Sequence, residues 1–142
     1  MHLFTCLSAV VVLAVAVYGA PFRSGGSIAD MVNDARLRAG VSPLRELDVL
    51  RDDAWEHSKY QANLGQVTHQ DSRGQGSDRL SREGVQLSYW AENVAYTNEG
   101  DAAVFDIWMN SPQHRDNILS SQSNCVGISQ VDGYWTQVFA RV

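Results

Sequence analysis

Outside its first few residues the chain has three histidines, His57, His69 and His114. With Glu92 and Cys125 they are the side chains whose types could do chemistry. Imidazole and carboxylate each offer a lone pair, so together they suit a divalent cation such as Zn2+. They suit a hydrogen-bonded acid–base cluster equally well. Sequence spacing leaves open whether His69, Glu92 and His114 meet. No His-Glu-x-x-His pair, phosphate loop, dinucleotide glycine motif or Gly-x-Ser-x-Gly elbow occurs, which removes the hydrolases and nucleotide enzymes that carry those signatures.

Each residue also has an ordinary reading. His69 lies in the polar run Val67-Thr68-His69-Gln70-Asp71, where a solvated loop histidine is unremarkable. Glu92 stands at a strand start between apolar neighbours, and a carboxylate there needs a partner if it is buried. His114 fits a helix-capping turn. His57 shares a helical face with Leu50 and Ala54, as a core histidine would. Cys125 heads the apolar run Cys125-Val126-Gly127-Ile128, so burial is expected in place of a nucleophilic role.

The elements that must position these groups follow from periodicity and punctuation. Ser27 caps a helix through Ile28, Met31, Val32, Ala35 and Ala39, closed by Gly40. A second helix is expected from Asp48 as cap to Gly65, with Leu50, Ala54, His57, Ser58, Gln61 and Ala62 on one face. Gln66–Ser77 reads as a surface loop and Ser77–Glu83 as a short helix. Ala91–Tyr96 reads as a strand. Asp101 caps a helix with Val104, Phe105, Trp108 and Met109 as its apolar stripe. Ser111-Pro112 ends that helix and allows another to begin. Asp132-Gly133 between two strand-like runs is a hairpin signal. Helices and antiparallel strands in this order indicate an α+β domain with helices packed on one sheet.

Of the 142 residues, Met1–Ala20 contains 16 hydrophobic ones and no Asp, Glu, Lys or Arg. With Gly19-Ala20 at its end, it is expected to be a secretory signal peptide, followed by a linker over 21–27 and a domain over 28–142. Loss of the signal removes Cys6 and leaves Cys125 as a lone thiol. The net charge of -5 disfavours nucleic-acid binding. No later segment is apolar enough to span a membrane. The expected product is secreted, extracellular and monomeric.

Several blocks together resemble the CAP superfamily of cysteine-rich secretory, antigen 5 and pathogenesis-related class 1 proteins. They are Met31-Val32-Asn33-x-x-Arg36, Gly40-Val41-x-Pro43-Leu44, Ala54-x-x-His57-Ser58, His69, Ala91-Glu92-Asn93-Val94-Ala95, Trp108-Met109-Asn110-Ser111-Pro112-x-His114-Arg115-x-Asn117-Ile118-Leu119 and Tyr134-Trp135-Thr136-Gln137-Val138-Phe139. The likeness is greatest to the compact, cysteine-poor SCP-like branch. It implies a three-layer α-β-α sandwich with a small central antiparallel sheet and an open cleft. In many members the cleft holds two His and two Glu, with a divalent metal in some. His69 and Glu92 match one of each. Ala91 replaces the usual glycine, Ser111 stands at the second Glu and Tyr134 at the second His. His114 would then refill the cleft, making His69, Glu92 and His114 the candidate metal ligands, with Ser111, Tyr134, Asn93 and His57 as further cleft residues. The resemblance implies a non-enzymatic binding protein. Its partner would be a small apolar ligand such as a lipid or sterol, a cell-wall component or a host protein. The alternatives are a metal-assisted hydrolase and a structural extracellular domain.

Overall fold

The computed structural model describes residues 26–142; the expected signal peptide and most of the linker lie outside them. The first helix, α1 (Ile28–Arg38), starts at a reciprocal capping box. The Ser27 side chain accepts from the Asp30 amide and the Asp30 carboxylate accepts from the Ser27 amide. Its inner face buries Ile28, Met31 and Val32. The Arg36 guanidinium is buried at the other end and donates to the carbonyls of Ser42, Ile118 and Ser120 at 2.7–2.8 Å. One side chain thereby satisfies three backbone acceptors in two segments far apart in sequence.

The strand β1 is only Arg45–Glu46 and is followed by α2 (Asp48–Leu64). Asp48 is the first helical residue of α2 and Leu47 is its cap, one position before the expected one. Beyond the loop come α3 (Gly76–Arg82), β2 (Tyr89–Tyr96), α4 (Asp101–Met109), α5 (Pro112–Leu119), β3 (Cys125–Val131) and β4 (Tyr134–Arg141). Gly100, not Asp101, caps α4; the Asp101 carboxylate instead accepts from the Ile28 amide at 2.8 Å and joins α4 to α1. The expected hairpin forms, with φ of 49° at Asp132 and 79° at Gly133. Two consecutive positive φ angles match the twist of the flanking strands.

The sheet order is β1-β3-β4-β2. β2, β4 and β3 are antiparallel, as expected, but β1 pairs in parallel with β3, so the sheet is mixed. A two-residue strand leaves no alternation by which to detect it. Period-two alternation along β4 divides the core. Trp135 and Phe139 meet Ile28, Val32, Val104, Trp108 and Ile118 of α1, α4 and α5. Val138 and Ala140 meet Leu50, Ala54 and Leu80 of α2 and α3, with Cys125 buried among them. This is an α+β fold of three layers.

The α2 layer lies directly on β3. A Cβ at Gly127 would fall 2.1 Å from the Leu50 carbonyl carbon and 2.2 Å from the Arg51 nitrogen. These are backbone atoms that cannot rotate away. Gly127→Ala should therefore destabilise the fold by about 3 kcal/mol or more, at or above the upper end of ordinary overpacking costs. Urea denaturation checks this, and an unchanged midpoint would mean that α2 does not seat on the β3 backbone.

Candidate functional site

Glu92 is 5% exposed and projects from β2 toward the α2 side of the sheet. Its carboxylate is held from three directions. His69 Nδ1 is 2.9 Å from Oε1, His57 Nε2 is 3.7 Å from the same oxygen, and Arg79 Nη2 is 3.5 Å from Oε2. Arg79 also makes a two-pronged pair with Asp53, at 2.7 and 3.0 Å, and donates to the Gly74 carbonyl at 3.0 Å. A buried carboxylate survives only with such pairing.

His57 is wholly buried on α2 and ties down the loop after it. Its Nδ1 lies 2.9 Å from Asp71 Oδ2 and its Nε2 2.8 Å from the Thr68 carbonyl. Gln61, one turn further along α2, accepts from the Thr68 amide at 3.0 Å and donates to Thr136 on β4. These bonds present His69 to Glu92. The core reading of His57 therefore holds; the side chain braces the loop from α2 and is not among those lining the cleft.

The next residue, Asn93, points to the opposite face. It donates to the His114 carbonyl and to Gln137 Oε1, each at 3.0 Å, and accepts from Asn117 at 2.8 Å. Asn93 thereby positions the start of α5. Between this wall and the loop wall lies an open cavity of about 550 Å³. His69, Glu92 and His114 all line it, with Gln70, Asp71, Gln75, Trp90, Gln113 and Asn117 among the others. Ser111 and Tyr134 do not. Ser111 caps α5, and Tyr134 packs at a tilt against Tyr96 with ring centroids 4.8 Å apart, at the far end of β2.

Three charged contributors escaped sequence reasoning: Asp53, Asp71 and Arg79. One signal was available. Asp53, His57 and Gln61 recur at four-residue steps on the buried side of α2, where a purely packing helix would be apolar.

The donor set does not fit a metal held by His69, Glu92 and His114. Both Glu92 oxygens are engaged, and Nδ1 of His69 is turned to Glu92. Two imidazoles remain as candidates where structural or catalytic zinc takes at least three protein ligands. Among the described residues, no group of three His, Cys, Asp or Glu side chains is arranged to hold a metal ion.

The environments set the titration of the cleft. The hydrogen bond to Glu92 raises the His69 imidazole above its ordinary 6.5, with burial opposing and the charge of Glu92 assisting. Burial lowers His114, helped by the charge of His69. Burial alone would push Asp71 upward, but hydrogen bonds from Arg73 and His57 outweigh it and hold the carboxyl far below the usual range. The His69–Glu92 contribution to stability is thus complete below about pH 6.5 and fades as pH rises through the higher folded-state value. His69 is half exposed, so that contribution is modest, about 1 kcal/mol at most. NMR titration of the imidazole protons should place His69 above 6.5 and His114 below it. The reverse order would contradict the pairing.

The sequence profile of the Cysteine-rich secretory protein family (CAP) matches residues 29–139. The uncharacterised protein YkwD of Bacillus subtilis (strain 168) is 28% identical over 115 residues, 79% of this chain and 45% of its own length. This chain spans less than half the length of the curated relatives it matches. Among solved structures, an extracellular protein containing an SCP domain from Bacillus anthracis str. Ames is similar with a TM-score of 0.77. It is 31% identical, over 81% of this chain and 39% of that one. An outer surface protein from Borrelia burgdorferi reaches 0.73 at 17% identity, covering 80% of this chain and 89% of that one, a likeness of fold. With the profile running from α1 into β4 and the three-layer fold shared, the chain belongs to the Cysteine-rich secretory protein family, CAP.

Proposed function

We propose that this chain is a secreted, non-enzymatic CAP-domain protein that binds a partner through the cleft between the 66–75 loop and α5. One observation carries the reading: an open cavity whose ionisable groups largely neutralise one another. Glu92 is held by His69 and Arg79, and Asp71 by His57 and Arg73. Among the described residues, no hydroxyl or thiol side chain lines the cavity, and Cys125 is buried elsewhere in the core. Binding would then rest on the remaining imidazole and amide groups, including Gln70, Gln75, Gln113 and Asn117.

The side-chain amides of that lining suit a hydrogen-bonding partner, a cell-wall component or a host-protein surface, and Trp90 and Ala91 give it an apolar part as well. The acidic balance makes nucleic acid an unsuitable partner. Secretion is supported by the apolar Met1–Ala20 segment and by relatives described as extracellular or outer-surface proteins.

One contact favours a second reading, a hydrolase. The 2.9 Å His69–Glu92 bond fixes an imidazole whose other nitrogen is free, the orienting half of an acid–base pair. Titration of the 15N-labelled domain with soluble cell-wall fragments, secreted host-protein fragments and oleate separates the possibilities. Saturable shifts at His69, Trp90 and Asn117 with a polar probe are expected. Saturation by oleate alone would overturn the polar reading. Time-dependent cleavage of a probe that disappears in His69→Ala would establish the hydrolase instead.

A further inference from the structure

The floor of the cleft is a sheet edge. β2 pairs with β4 along Tyr89–Tyr96 in unbroken register and, among the described residues, has no strand on its other side. The Thr97 amide donates to the Gly133 carbonyl at 2.9 Å, which fixes the phase of the ladder. In an antiparallel pair, residues alternate between bonding inward and facing out. The odd-numbered residues Ala91, Asn93 and Ala95 therefore bond to β4. The main-chain groups of Trp90, Glu92 and Val94 face away from it.

The outward row is only partly covered. The Val94 carbonyl accepts from Trp108 Nε1 at 3.3 Å, and Asn117 Nδ2 reaches the Glu92 carbonyl at 3.5 Å. Before that point, the Trp90 amide, the Trp90 carbonyl and the Glu92 amide have no partner among the described residues. Trp90 and Glu92 both line the cavity. An uncovered edge of this kind is a template for another extended chain. Here it lies in a slot, with the His69–Gln75 wall on one face of the sheet and the Gln113–Asn117 wall on the other.

We propose that the cleft binds an extended L-peptide segment of a partner protein by adding it as a short strand to β2 at Trp90–Glu92. This rests on the binding role proposed above and names the chemistry of the partner. The three free main-chain groups supply the ladder. The side chains of Asn117 and Trp108 stop the added strand beyond Glu92, so the pairing is confined to about three residues of the incoming chain. Alternate side chains of that segment face the two walls, where neutral amides suit a peptide better than a highly charged ligand. A sterol would leave the edge groups unpaired, and a glycan has no repeat of alternating donor and acceptor to match them.

The test uses the chain over residues 21–142, without the expected signal peptide, and a random library of linear heptapeptides. Selected binders are resynthesised as free acids, as C-terminal amides, as D-enantiomers and as single N-methyl variants. Hydrogen exchange at the Trp90 and Glu92 amides should slow at least tenfold with a bound peptide. N-methylation at one or two alternate positions should weaken binding at least tenfold, and the D-enantiomer should not bind. Binders that shift His69 and Asn117, yet tolerate every N-methyl group and leave exchange at Trp90 and Glu92 unchanged, would overturn strand addition while leaving the cleft as a binding site. Saturation of the cleft by a glycan or lipid probe, with no peptide selected, would also overturn it. A cleft silent to peptide, glycan and lipid alike would remove the binding role itself.

Discussion

Glu92 is a carboxylate buried on an edge strand, and compensating that charge organises everything around it. Burying an unpaired carboxylate costs several kcal/mol, so its partners must arrive together. They come from three elements: His57 on α2, His69 on the loop and Arg79 on α3. Arg79 in turn needs Asp53, and His57 needs Asp71. The 66–75 loop has no regular ladder of its own, yet these contacts give it a defined path across the end of α2.

The two walls of the cleft share a single origin in the pleat of β2. Glu92 turns to the α2 face and Asn93 to the α5 face. The first gathers the loop through charge; the second gathers α5 through neutral amides, with Asn117 and the His114 carbonyl. Two adjacent residues thus set the width of the opening. A one-residue slip of β2 against β4 would exchange these roles and place a carboxylate against the apolar cluster around Trp108 and Phe139.

Features set by local chemistry were legible in the sequence. The Ser27 cap, the Asp132-Gly133 turn and the helical face of α2 each depend on neighbours a few residues away, and the burial of Cys125 was legible in the apolar run that it opens. His69 and Glu92 were legible as a pair through the resemblance, which carries tertiary information that spacing does not. Asp71 and Arg79 were not, because their meaning lies in charge compensation between segments far apart in the chain. Ser111 and Tyr134 were matched to cleft positions by motif, but in this chain the first serves as a helix cap and the second joins an aromatic pair at the hairpin end. β1 was missed because its two residues owe their strand form to β3, not to their own pattern.

The placement of Cys125 has one more consequence. The thiol is 1% exposed, sealed between α2 and the sheet, beside Leu50, Ala54 and Val138. An oxidant or alkylating reagent can reach it only when the α2 layer lifts from β3. A surface thiol is open to mixed-disulfide exchange; this one, the only cysteine among the described residues, is protected by the same contact at Gly127 that locks the layers together. Its labelling rate under native conditions is therefore a clock for the opening of that layer, reporting how often the domain exposes its core.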